Sequence, residues 1–252
     1  MIPFILLGAP RTGSSMLEML LQQHPGITMY KELFHPELPQ RSNVHFFKNH
    51  EGKKTFYDGT GSPLDFLKEN VWNHALHPEG QAVGFKLFYH HCRTPEEQGL
   101  WQSLADMPEL RVIHLVRNNP FHSLVSLKVA QKTNQWILVG GNQQKEFEPL
   151  SIDVTTCEKF FDEFTQQRKK AEQLFAKKDT ITVDYDAELA ARPIATAQEL
   201  FRFLGLPEFT PKLVTMKQVK KPYTSIISNY HILKQYFADS PYAGYFTERT
   251  GT

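Results

Sequence analysis

The stretch from residue 4 to residue 24, FILLGAPRTGSSMLEMLLQQH, constrains the fold more than any other. Phe4, Ile5, Leu6 and Leu7 form an apolar run bounded by Gly8 and Pro10. It is too short to span a membrane and reads as a strand buried in a parallel sheet. From Ser14 onward Met16, Leu17, Leu20 and Leu21 fall at helical spacing, and the stripe stops at His24, Pro25 and Gly26. The order is strand, tight loop, helix.

The loop, residues 8–15, has the skeleton GxxxxG followed by two serines. Backbone N–H groups and the positive end of the helix dipole make such a loop a site for a cluster of anionic oxygens. A nucleoside-triphosphate loop reads GxxxxGK[ST], with lysine on the terminal phosphates; here Ser14 occupies the lysine position. Arg11 supplies the cation instead, and its planar guanidinium suits bidentate contact with an oxyanion. Pro10, Arg11, Thr12, Gly13, Ser14 and Ser15 are therefore the candidate anion-binding residues, with Thr12, Ser14 and Ser15 as hydroxyl donors.

The 252 residues suit one domain, residues 1–252, with a sizeable core. Lysine and arginine number 28 against 27 acids, a formal charge of +1, so no nucleic-acid or membrane-surface footprint is present and partners must be recognised locally. Cys92 and Cys157 make neither a disulfide framework nor a CxxC metal pattern. The first apolar run lacks a basic segment before it, and no stretch reaches the roughly 18 apolar residues of a spanning helix. These features read as a cytoplasmic protein without a metal.

Further along, 27–30 reads as a short strand, 63–76 as a helix entered through Ser62 and Pro63, and 82–89 as a strand. Alternation along that strand puts Val83, Phe85 and Leu87 on one face and Lys86 with Phe88 on the other. His90 and His91 follow at its carboxyl end, where ligands bind in open α/β sheets. Thr94, Pro95 and Glu97 make a capping box for a helix ending by Pro108, and 111–116 returns as a strand. Arg117 follows it where a magnesium-dependent nucleotide enzyme often places aspartate. Helices at about 156–177 and 192–204 bracket a strand at 180–185. Strands alternating with helices indicate an α/β fold with a mostly parallel sheet. The segments 35–61 and 137–155 are irregular, and long loops of this kind in a compact domain often carry function.

PRTGSS after an apolar strand resembles the 5′-phosphosulfate loop of sulfotransferases that use 3′-phosphoadenosine 5′-phosphosulfate (PAPS). The continuation through HPGI and KELFHP is most similar to bacterial carbohydrate sulfotransferases of the nodulation-factor and trehalose type. VGFKLF, LVSLKVAQKTNQW, RPIATAQELFRFLGLP and the tail from Met216 extend the likeness over most of the chain.

The resemblance implies a P-loop-like three-layer fold and transfer of a sulfuryl group from PAPS to a carbohydrate or related small-molecule hydroxyl, leaving adenosine 3′,5′-bisphosphate. It implies that Glu32 is the catalytic base and that Lys86 points toward the transferred group. A sugar hydroxyl is a poor nucleophile until a positioned group takes its proton; His90 and His91 stay as alternatives for that role. Arg117 and Ser126 match the residues that bind the donor's 3′-phosphate, with Ser123, one turn earlier, as competitor. Lys217, Lys220 and Lys221 form a basic patch able to close over the donor phosphates. The rival readings are a P-loop kinase, disfavoured by Ser14 and Arg117, and a nucleotide-binding module that has lost activity.

Overall fold

A computed structural model describes residues 1–36, 55–78, 81–92, 95–138, 143, 145–213 and 221–247. In chain order its elements are β1 (Ile2–Gly8), α1 (Ser14–Leu21), β2 (Ile27–Met29), α2 (Pro63–Asn70), β3 (Ala82–Phe88), α3 (Pro95–Asp106), β4 (Arg111–Val116), α4 (Pro120–Thr133), α5 (Val154–Leu174), β5 (Asp179–Asp184), α6 (Pro193–Phe203), α7 (Tyr223–Ile226) and α8 (Tyr230–Tyr236). The residues group into two compact units, Met1–Val116 with Gln167–Leu213, and Arg117–Gln166 with Val214–Thr252.

The first unit is built on a five-stranded sheet of order β2-β3-β1-β4-β5 in which every pairing is parallel. Side chains alternate across it. Ile5, Leu7, Val83, Phe85, Leu87 and Val112 pack with Leu67 of α2, Leu100 and Leu104 of α3, and Ala171 and Phe175. Phe4, Leu6, Ala82, Ile113, Leu115 and Val183 pack with Leu17, Leu20 and Leu21 of α1 and with Ala197, Leu200 and Phe201 of α6. The expected three-layer α/β arrangement is present, each fully buried Leu or Phe contributing about 1.5–3 kcal/mol. Because β1 is central, with β3 on one side and β4 on the other, the order reverses at the carboxyl end of β1. A ligand crevice belongs there in such sheets.

The second unit packs Phe121, Leu124, Val125 and Val129 of α4 with Cys157 and Phe161 of α5, Tyr223, Tyr230, Phe237 and Phe246. Phe237 and Phe246 stack at 5.0 Å, and the Tyr230 hydroxyl donates to the Phe246 carbonyl at 2.9 Å. Asn119 opens α4 by accepting from the N–H groups of Phe121 and His122, while its amide donates to the Tyr245 carbonyl.

The helix expected over 63–76 ends at Asn70. The Trp72 indole N–H turns away to donate to the Val83 carbonyl at 3.0 Å, and Asn73 then caps a separate 3₁₀ turn, His74–Leu76. The long helix begins two residues earlier than expected, because Asp153 accepts from the Thr155 and Thr156 hydroxyls and the Thr156 N–H. No helix among the described residues is long and apolar enough to cross a membrane.

Candidate active site

The loop after β1 is held by close backbone approach. A Cβ at Gly8 would come within 2.7 Å of the Leu115 carbonyl oxygen, so glycine lets β1 and β4 meet there. Arg11 has φ 66° and Gly13 φ 90°, both in the left-handed region. That conformation costs a non-glycine residue about 1–2 kcal/mol and is kept at functional turns. It curls the loop over the start of α1 in the manner of an anion-binding nest. Gly13 is the N-cap of α1 without a side-chain cap, and no acidic residue stands in the first turn. No carboxylate of its own first turn therefore offsets the positive helix end.

Thr12 takes a different part from the one expected. Its hydroxyl donates to the Ala9 carbonyl at 2.7 Å and it is 1 % exposed, so its proton braces the loop. Ser14 is buried and Ser15, Pro10 and Arg11 are half-buried.

Backbone pairing continues beyond β2: the Tyr30 N–H donates to Gly84 and the Lys86 N–H to Lys31. This carries Glu32 to the carboxyl end of β3. Lys86, on the α1 side of the sheet as its alternation requires, is 3 % exposed. Its Nζ lies 2.6 Å from Glu18 Oε2 and 3.9 Å from Glu32 Oε1. The Glu32 side chain keeps 29 % of its surface in solvent, whereas Glu18 is sealed at 4 %.

A turn follows β3, with the His91 N–H donating to Phe88 and Cys92 at φ 58°. In return the Phe88 N–H donates to His91 Nδ1 at 3.2 Å. An Nδ1 that accepts carries no proton, so a neutral His91 ring bears its proton on Nε2. That atom faces Glu32 Oε2 at 3.8 Å, and His35 Nε2 is 3.9 Å from the same oxygen. The His90 ring lies 4.7 Å from that of His91 and stacks on Phe88 at 6.0 Å.

Glu32 and Lys86 are thus brought together at the carboxyl end of the parallel strands, the end at which the Arg11 loop leaves β1. Of the two histidines it is His91 that faces the carboxylate in the described contacts. Among the described residues no three His, Cys, Asp or Glu side chains converge as metal ligands. Glu18 and Tyr185 escaped the sequence reading. The Tyr185 ring packs on Gly13, and Tyr185 opens a π-helical turn, Tyr185–Leu189, capped by Asp184.

In the second unit Arg117 is buried at 3 % exposure; Ser126 is 9 % exposed and Ser123 is sealed. Lys217 and Lys220 lie outside the described residues, as does most of the 35–61 segment, and Lys221 is exposed.

Residues 3–211 match the model of the sulfotransferase family. Nodulation protein H of Rhizobium meliloti is 24 % identical over 246 residues, covering 97 % of this chain and 94 % of that protein. Nodulation protein H of Rhizobium tropici is 26 % identical over 249 residues, covering 97 % and 92 %. A solved sulfotransferase from Alicyclobacillus acidocaldarius superposes with a TM-score of 0.54 at 16 % identity, covering 96 % of this chain and 93 % of that one, which shows a shared fold. The match runs from β1 through α6 and takes in the loop, Glu32 and Lys86, and on it the chain belongs to the sulfotransferase family.

Proposed function

We propose that the enzyme moves a sulfuryl group from PAPS to a carbohydrate hydroxyl, with Glu32 as the base. The observation that carries this reading is a partly solvated carboxylate within 3.9 Å of a buried ammonium, at the carboxyl end of a parallel sheet whose central strand leads there into an arginine-containing anion loop. The acceptor oxygen forms the new S–O bond as the bond from sulfur to the 5′-phosphate oxygen breaks. The electron pair leaves with adenosine 3′,5′-bisphosphate, and Glu32 takes the hydroxyl proton. Arg11, the loop amides and Lys86 offset the charge that grows on the leaving oxygen, the kind of preorganised electrostatics that contributes most to many enzymes.

Glycine at positions 8 and 13, serine at the kinase lysine position and an uncapped helix end all suit a phosphosulfate. Arg117 and Ser126 are assigned to the 3′-phosphate on chain order and spacing; the lesser burial of Ser126 favours it over Ser123. Lys220 is assigned to the donor phosphates on sequence alone. The carbohydrate class of the acceptor rests on the resemblance to carbohydrate sulfotransferases. Cys92 and Cys157 are buried free thiols, which fits a reducing, cytoplasmic setting.

The donor is tested by thermal shift. Adenosine 3′,5′-bisphosphate at a hundred times its dissociation constant should stabilise the fold by about 2.7 kcal/mol. The shift should vanish in Arg11→Ala and Arg117→Ala. A shift with ATP and magnesium but none with the bisphosphate would overturn the assignment.

A further inference from the structure

Lys86 stands between two carboxylates that are unlike each other. Glu18, on α1, is sealed at 4 % side-chain exposure and reaches the ammonium at 2.6 Å; Glu32 is 29 % exposed and stands at 3.9 Å. Coulomb attraction grows as distance and screening fall, so both the shorter distance and the drier surroundings give the ammonium to Glu18. Glu18 is itself held in place. Gln22, one helical turn on, donates from its side-chain amide to Glu18 Oε1 at 3.3 Å and to the Met29 carbonyl at 2.9 Å. One oxygen of Glu18 is thus engaged by Gln22 and the other by Lys86.

Three charges therefore meet, one positive and two negative. With Lys86 and Glu18 matched, the remaining negative charge belongs to Glu32. This matters because a carboxylate locked to an ammonium accepts a proton poorly. The other groups that face Glu32 in the described contacts are His91, from the turn after β3, and His35, from its own segment; the His90 ring packs against both of theirs.

We infer that Glu18 is a positioning residue of the transfer centre, one that withholds the Lys86 ammonium from Glu32 so that Glu32 stays free to take the acceptor proton. The inference rests on the reading of Glu32 as the base. Without the Glu18 charge, Lys86 has Glu32 as its remaining carboxylate partner in this cluster, and the base becomes half of an ion pair. A merely structural Glu18 would lower stability and activity together at every pH. A withholding Glu18 has a different signature, because its loss alters the pH at which the base gains its proton.

The experiment is a kcat/KM profile against pH, in the presence of PAPS and a sugar acceptor, for the wild type, Glu18→Gln and Glu18→Asp. Binding of adenosine 3′,5′-bisphosphate is measured alongside. In Glu18→Gln the acidic limb should move to lower pH by roughly one unit and the plateau should fall several-fold, with bisphosphate affinity kept within about twofold. Glu18→Asp keeps the charge but shortens the reach, and its limb should move in the same direction by less. If Glu18→Gln does not fold, the Glu18→Asp profile decides alone. An acidic limb that stays where it is in every variant that folds overturns the inference. Glu32→Gln run in parallel separates the two readings: if it keeps wild-type turnover the base assignment fails, and if it is inactive while the Glu18 limbs stay fixed the withholding role alone fails.

Discussion

The Tyr185 ring occupies the space in which a side chain at Gly13 would stand. A residue just past β5 therefore sets the height of the loop past β1. Gly13→Ala meets two costs, a left-handed backbone at φ 90° and overlap with that ring. Together they should destabilise the protein by about 2–3 kcal/mol and weaken bisphosphate binding at least tenfold. Urea denaturation of the cycle with Tyr185→Ala should show Gly13→Ala costing about half as much in the Tyr185→Ala background as in the wild type, because the steric part has gone. An equal cost of Gly13→Ala in both backgrounds would mean that the ring does not set the loop.

The Lys86–Glu18 pair makes a prediction about stability as distinct from rate. Both side chains are 4 % exposed and 2.6 Å apart. Removing one partner of a buried pair leaves an uncompensated charge, whereas replacing both by apolar groups can be neutral. Lys86→Met should therefore cost about 3 kcal/mol. Lys86→Met combined with Glu18→Leu should recover most of it while transfer stays lost. Two single variants whose effects add, read from denaturant midpoints, would contradict a coupled pair.

His114, on the interior strand β4, shares a hydrogen bond of 2.6 Å between its Nε2 and the Tyr89 hydroxyl. Burial, with Arg168 adding to it and Glu172 opposing, lowers its pKa to about 4; burial likewise pushes the Tyr89 hydroxyl up, so both partners stay uncharged. The fold thus prefers neutral His114, while the unfolded chain takes a proton near pH 6.5. Stability from this site is whole above about pH 6.5, declines as the pH falls toward 4, and levels off below. The loss should approach about 3 kcal/mol. His114→Gln keeps a hydrogen-bonding group that does not titrate and should flatten this part of the stability curve. A curve unchanged between pH 7 and pH 4 would contradict the account.

Most of the fold was legible because each element carries its own period: the short apolar run of β1, the helical stripe of α1, the alternation that sends Lys86 to the opposite face from Phe85. Boundaries depended on partners distant in sequence. Nothing in residues 63–76 announces that Trp72 must turn to reach the Val83 carbonyl and so end α2 at Asn70. The loop and Glu32 could be found from local order and resemblance. Glu18 could not, although a signal was present: an acid on the buried stripe of a helix and a lysine on an apolar strand are each out of place alone and complementary together. Tyr185 was passed over because its segment reads as structural, and only the strand order brings the end of β5 toward the loop. His91, one residue beyond His90, faces Glu32 because the turn at Cys92 folds its ring back onto the Phe88 N–H.

The most direct measurement is sulfuryl transfer by Glu32→Gln beside its affinity for adenosine 3′,5′-bisphosphate. The substitution keeps the size of the side chain and removes its capacity to accept a proton. Turnover should fall roughly a hundredfold or more, with the bisphosphate dissociation constant within about twofold of wild type. Turnover at the wild-type level would contradict the account and remove Glu32 from the chemistry.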